Sequence, residues 1–114
     1  MAKSAGEILA ELREDLPRVR EALPHVHEAF GIKLAPSIMT DGVLSRKHKE
    51  LMALAIAVRI TCDYCAVYHA KRCLEAGATR EEIAEACSVA ILMGGGPSVA
   101  YSSLVLKAVE ELSS

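Results

Sequence analysis

Cys62 and Cys65 are separated by two residues, and His69 follows after three more, giving C-x2-C-x3-H. Two thiols at this spacing can close a disulfide, and a histidine one helical turn away can carry a proton for them. A thiolate is the attacking form in disulfide exchange and in peroxide reduction. The second thiol then closes the disulfide and releases the product. Zinc is a competing use of the same donors. It would require further ligands, and this motif lacks the second knuckle of a structural zinc site. An inert pair of core cysteines is the third reading.

The elements that must position these groups are helices. A helix is predicted from Cys62 to about Ala76, with Thr61 as its cap and Gly77 closing it. On it Cys62, Cys65 and His69 fall at i, i+3 and i+7 and share one face. The dithiol then sits in the first turn, where the partial positive charge of the amide groups favours a thiolate. The preceding helix starts from Ser45 as N-cap and runs to about Ile60. Its segment Leu51–Val58 is apolar on all sides, which predicts a helix buried all round, at the centre of the fold or at a subunit interface. The turn near Thr61 is very short and forces the two helices into an antiparallel hairpin. Glu50 lies 11 residues before Thr61 and His69 lies 8 after it. At about 1.5 Å per residue, the two sit at heights differing by only a few ångströms. Glu50 can therefore face His69, and carboxylate, imidazole and thiol in sequence make a proton relay.

The rest of the chain also reads as helices. Ile8, Leu9, Leu12 and Leu16 predict a first helix from Ala5 to Leu16. Pro17 suits the first turn of a second helix, bent or split at Pro24 and capped by Gly31. Residues 32–44 read as a loop with a helical turn around Ser37 to Thr40. Thr79-Arg80-Glu81-Glu82 fits a capping box and opens a helix to about Met93. Gly94-Gly95-Gly96 reads as a tight connection, and a last helix starts at Pro97 or Ser98 and ends near Leu112. No strand alternation of useful length is present. The expected fold is all-α, a compact bundle of about six helices. It is expected to form one domain over residues 1–114, with its core at 44–112 and N-terminal helices and a loop at 1–43.

Composition bounds the function. Hydrophobic residues make up 52% of the chain and aromatics only 4%, with no Trp, so the core must be built from Ala, Leu, Ile and Val. A small domain this apolar is expected to complete its core by self-association. A net charge of −2 argues against nucleic acid as the main partner. Residues 86–106 carry no charge, but the glycines at their middle divide them into two buried helices rather than a membrane span. Charges from Lys3 to Asp15 interrupt any signal-peptide pattern. Four cysteines without such a signal fit a cytoplasmic chain in which the CxxC is redox-active or metal-binding. Cys73 lies too far along the helix from Cys65 to bridge it, and Cys87 reads as a small core residue. His25, His27 and His48 read as surface residues. Tyr64 and Tyr68 flank the dithiol and could line a pocket.

Together Glu50, Cys62, Cys65 and His69 form E-x11-C-x2-C-x3-H. This pattern resembles the alkylhydroperoxidase AhpD-like core of the carboxymuconolactone decarboxylase family. Leu51-Met52-Ala53-Leu54-Ala55 and Glu75-Ala76-Gly77-Ala78-Thr79 extend the resemblance, which covers about Leu44 to Leu112. It implies an all-helical bundle assembling into homotrimers or homohexamers, and hydroperoxide reduction through the dithiol. It further implies Cys65 as the peroxide-attacking thiol, Cys62 as the resolving thiol, and Glu50 and His69 as the proton relay. The helix-terminus argument by itself favours Cys62 as the more acidic thiol, so the residues alone leave that order open. AhpD has a second histidine just before its second cysteine, where this chain has Tyr64. The lipoylated reductant of AhpD is therefore not carried over. The expected function is a thiol-dependent peroxidase or disulfide oxidoreductase. Its substrate is a hydroperoxide and its reductant an external thiol or dithiol. No metal, organic cofactor, nucleic acid or membrane is required. Lactone decarboxylation, the family's other branch, is one alternative, and it needs no dithiol. A non-enzymatic oligomer using the dithiol as redox sensor or zinc clip is another.

Overall fold

A computed structural model describes residues 3–113, so Met1, Ala2 and Ser114 of the expected domain lie outside the described residues. The long helices are α1 (Ala5–Ala22), α4 (Arg46–Arg59), α5 (Asp63–Glu75), α6 (Arg80–Gly94) and α7 (Gly96–Ser113). Between α1 and α4 the chain passes through α2 (Pro24–Val26), a π-helical segment (His27–Leu34) and α3 (Ala35–Ile38). No strand occurs among the described residues, and the fold is the expected all-α bundle.

The α4–α5 hairpin is the centre of the packing. Both its helices contact neighbours in the α6–α7 pair, and α1 lies across α5 and α7. The interior is built from Leu54, Val58, Val67, Ile83 and Val105, with Ala57, Ala66, Ala70 and Ala108 between them. Small side chains at the contacts let the helix axes approach closely, which compensates for the scarcity of aromatics. Ser45 caps α4 by accepting from the His48 amide, and Thr79 with Glu82 forms the reciprocal capping box of α6. Lys47 on α4 pairs with that same Glu82 at 2.8 Å and ties the two helix starts together.

The N-terminal third departs from expectation. α1 continues through Pro17 to Ala22, because the proline ring fixes a φ that is already helical and costs one hydrogen bond rather than the helix. The break comes at Pro24, which opens α2 at its first position. Gly31 caps nothing and lies inside the π-helical segment, whose wider bonding is seen in the Ala35 amide donating to the Phe30 carbonyl. The loop expected from residue 32 therefore begins only after Ile38.

α4 is not buried all round. Met52, Ile56 and Ile60, at four-residue spacing, are 50%, 60% and 60% exposed, and Leu92 and Met93 of α6 are exposed too. Three helices cover the remaining faces of α4 and leave this stripe uncovered. The uncharged run at 86–106 divides at Gly95, whose φ of 70° ends α6. Gly94 lies so close to Ser98 and Arg59 that a β-carbon would overlap both side chains. No helix among the described residues is long and apolar enough to cross a membrane.

Candidate functional site

Cys62 belongs to two helix ends at once. Its amide donates to the Ala57 carbonyl and that of Thr61 to the Val58 carbonyl, each at 3.1 Å, closing α4. These paired bonds need a left-handed residue between them, and Thr61 supplies it at φ 59°. Glycine usually fills such a position, so a β-branched residue here is strained. Cys62 then opens α5, its Sγ accepting from the Cys65 amide at 3.2 Å. The cap is thus Cys62 and not Thr61, whose hydroxyl turns back to the Ile60 carbonyl. One residue serves as the end of one helix and the start of the next, and this makes the hairpin as tight as its spacing requires. Cys62 and Cys65 are joined by a disulfide, with their Cα atoms 5.2 Å apart.

His69 lies four residues beyond Cys65 on α5, on the order of 6 Å along the axis. Its Nδ1 is 3.1 Å from Oε1 of Glu50 on α4. Glu50 is only 1% exposed. With the carboxylate as acceptor, the proton sits on Nδ1 and the ring's lone pair is on Nε2. The other carboxylate oxygen, Oε2, is 3.4 Å from Arg72 Nε. A carboxylate removed from water thus has an imidazole at one oxygen and a guanidinium charge near the other, as burial demands. Arg72 was missed in the sequence. The available signal was its spacing, three residues after His69 on the same face. Arg72 also reaches Glu75, at 3.2 Å.

The remaining cysteines are free and buried. Cys73 is pushed up to about 12, first by burial, then by the charge of Glu50 and by Cys87. Burial also raises the thiol of Cys87. Protein reduced and left native at pH 8 is expected to react with a thiol reagent at Cys62 and Cys65 only. Denaturation should release Cys73 and Cys87. Rapid labelling of all four in the native protein would contradict this placement.

The two tyrosines part ways. Tyr68 packs edge-on against the His69 ring, with centroids 5.2 Å apart, and lines a cavity. Tyr64 does not line it. Its hydroxyl donates to Glu11 Oε2 of α1 at 2.6 Å, and Lys3 pairs with the same carboxylate. The Lys3 ammonium, then the Tyr64 hydroxyl, hold the Glu11 carboxyl below its usual range, and Glu11 raises the Tyr64 phenol. Tyr64 therefore anchors α1 to α5 rather than forming a pocket wall.

The cavity measures about 1020 Å³. Glu50, His69, Arg72 and Arg46 form one side, while apolar residues of α1 and of the chain from Val26 to Met39 form the other. Cys62 and Cys65 are not among its lining residues and lie about two turns and one turn from His69. His25 and His48 are exposed, and His48 Nδ1 is 2.9 Å from Ser45 Oγ. His27 lines the cavity. No group of three or more His, Cys, Asp or Glu side chains among the described residues is placed to hold a metal ion.

Comparison with known proteins identifies the family. Residues 24–108 match the Carboxymuconolactone decarboxylase family, so the match reaches further toward the N-terminus than Leu44. A solved carboxymuconolactone decarboxylase family protein from Legionella pneumophila superposes with a TM-score of 0.90 at 36% identity, over 96% of this chain and 97% of that one. A family protein from Thermotoga maritima, for which a role in antioxidative response has been suggested, gives 0.81 at 30% identity, over 94% and 90%. An uncharacterized protein of Cupriavidus necator is 46% identical over 66 residues, and the match spans 58% of its length and 58% of this chain. A second uncharacterized protein, from the cox locus of Paracoccus denitrificans, is 33% identical over 71% of this chain and 73% of its own. The chain belongs to the carboxymuconolactone decarboxylase family.

Proposed function

We propose that the protein is a thiol-dependent peroxidase, cycling through the Cys62–Cys65 dithiol and able to exchange disulfides by the same chemistry. The observation that carries this reading is a CxxC disulfide at the head of α5 with a histidine–carboxylate pair one turn along the same helix. The α5 N-terminus favours a thiolate there. Cys65 sulfur attacks the terminal oxygen of ROOH, the O–O bond breaks, and an S–O bond forms. The leaving alkoxide takes a proton and departs as ROH. Cys62 then attacks the Cys65 sulfenic acid, forming the disulfide and releasing water. An external thiol or dithiol returns both electrons. His69, oriented by Glu50, carries the protons, and Arg72 holds the second oxygen of Glu50. The Thermotoga maritima relative, with its suggested antioxidative role, supports the same direction.

The wider setting belongs to the same proposal. The chain forms one AhpD-like unit in the cytoplasm, where reducing thiols are at hand. Copies associate as trimers or hexamers through the exposed Met52–Ile56–Ile60 stripe. The test of activity is direct. Fully reduced protein treated with one equivalent of tert-butyl hydroperoxide should lose two thiols per chain, and excess dithiothreitol should make consumption catalytic. Thiols that survive the peroxide unchanged would overturn the reading.

A further inference from the structure

Proton transfer does not explain the arginines of the cavity. Glu50 is the only acid among its lining residues, and His69 and Arg72 already occupy both its oxygens. Arg46, the first residue of α4, lies one turn before Glu50, and its Nε is buried with no hydrogen-bond partner. That nitrogen is shut off from water without a hydrogen bond, which is costly and leaves the Arg46 charge uncompensated. Arg13 and Arg20, exposed on α1, line the same cavity; Asp41 accepts the Arg46 backbone amide, and the guanidinium groups of these three arginines make no ion pair among the described residues. Leu16, between Arg13 and Arg20 on α1, and Phe30 add apolar lining to the same cavity. With four arginines and one carboxylate among otherwise largely apolar lining residues, the cavity is complementary to an anionic amphiphile.

The placement gives the ligand a direction. Arg46 precedes Glu50 on α4 and Arg72 follows His69 on α5, so in the antiparallel hairpin both lie on the side away from the disulfide. Seven residues separate Cys65 from Arg72, about 10 Å along the axis. We propose that the cavity binds an organic hydroperoxide that carries a carboxylate on an apolar chain. A guanidinium matches a carboxylate in plane and charge, and that of Arg46 lines the cavity without an ion pair among the described residues. The apolar chain lies against Leu16 and Phe30, and the peroxide end passes His69 to reach Cys65. The two cysteines supply both electrons, so ROOH leaves as the hydroxy acid ROH plus water. This deepens the peroxidase reading and rests on it.

Calorimetric titration of the full chain with octanoate and with 1-octanol tests the cavity without turnover. Octanoate should bind at least about tenfold more tightly, the scale of one hydrogen bond to a charged group. Arg46→Gln should weaken octanoate by a similar factor, while Arg80→Gln, on an arginine paired with Glu110 at the start of α6, should not. If Arg46→Gln does not fold by circular dichroism, the Arg13→Gln/Arg20→Gln pair must weaken octanoate instead. With wild type, linoleate hydroperoxide should show a kcat/KM at least about tenfold above its methyl ester. Equal binding of the alcohol, or no effect of the arginine variants, overturns the proposal. Hydroperoxide consumed by a chain that ignores octanoate overturns it alone. Octanoate bound by a chain that consumes no hydroperoxide overturns the peroxidase reading, and the substrate proposed here with it.

Discussion

Cys65→Ser is expected to lower hydroperoxide turnover by about 10³-fold or more, because in the proposed mechanism it removes the nucleophile rather than a group assisting it. Cys62→Ser is expected to abolish turnover differently. Its Cys65 should still react with one equivalent of peroxide and stop as a sulfenic acid, since no neighbouring thiol resolves it. A single-turnover burst in Cys62→Ser, absent from Cys65→Ser, therefore assigns the roles. The opposite pattern would make Cys62 the attacking thiol, as its position at the head of α5 would favour. Full activity in both variants would sink the mechanism. Both cysteines are part-exposed, so neither change should cost much stability through packing. Cys62→Ser also keeps a side-chain acceptor at the cap of α5.

Glu50 is expected to give the second largest effect, and two variants separate its two duties. Glu50→Gln keeps the volume and an acceptor but removes the charge that orients and polarises His69. The rate should fall by about 10²-fold, the scale of general acid–base assistance, with the fold retained. Glu50→Ala leaves His69 and Arg72 facing an emptied, buried position. Breaking a fully buried pair costs about 3–5 kcal/mol. His69 and Arg72 are part-exposed here, so water screens them and a loss on the order of 2 kcal/mol is expected. Urea unfolding monitored by circular dichroism measures the second effect and peroxide kinetics the first. A Glu50→Gln protein with the wild-type rate would leave Glu50 a purely structural residue.

The hairpin was legible because its signals are local. Ser45 as a cap, the capping box at Thr79 and the glycines at 77 and 95 are short-range chemistry that packing does not override. Counting residues from Thr61 was enough to put Glu50 level with His69, since the rise of a helix is fixed. Arg72 and Arg46 were hidden for the opposite reason. A charged residue on a helix is ordinarily a solvated one, and only the third dimension shows which oxygen it meets or which cavity it enters. In the segment from Pro17 to Ile38 single residues mislead: Pro17 and Gly31 resemble helix boundaries, yet both lie within helical chain. The all-round apolarity of α4 predicted burial, but periodicity cannot tell a face covered by the chain itself from one left for another molecule. Tyr64 was read from its closeness to the dithiol in sequence, whereas its partner Glu11 is 53 positions away.

Cys62 does more than supply a sulfur. Its amide finishes α4 and its sulfur starts α5, so the joint between the two helices passes through a redox-active atom. Reduction turns that capping acceptor from a disulfide sulfur into a thiol or thiolate, and a charged acceptor holds the Cys65 N–H more firmly. The oxidation state is therefore written into the backbone as well as into the side chains. Exchange of a single amide hydrogen, at Cys65, is expected to slow when the dithiol is reduced to its thiolate form.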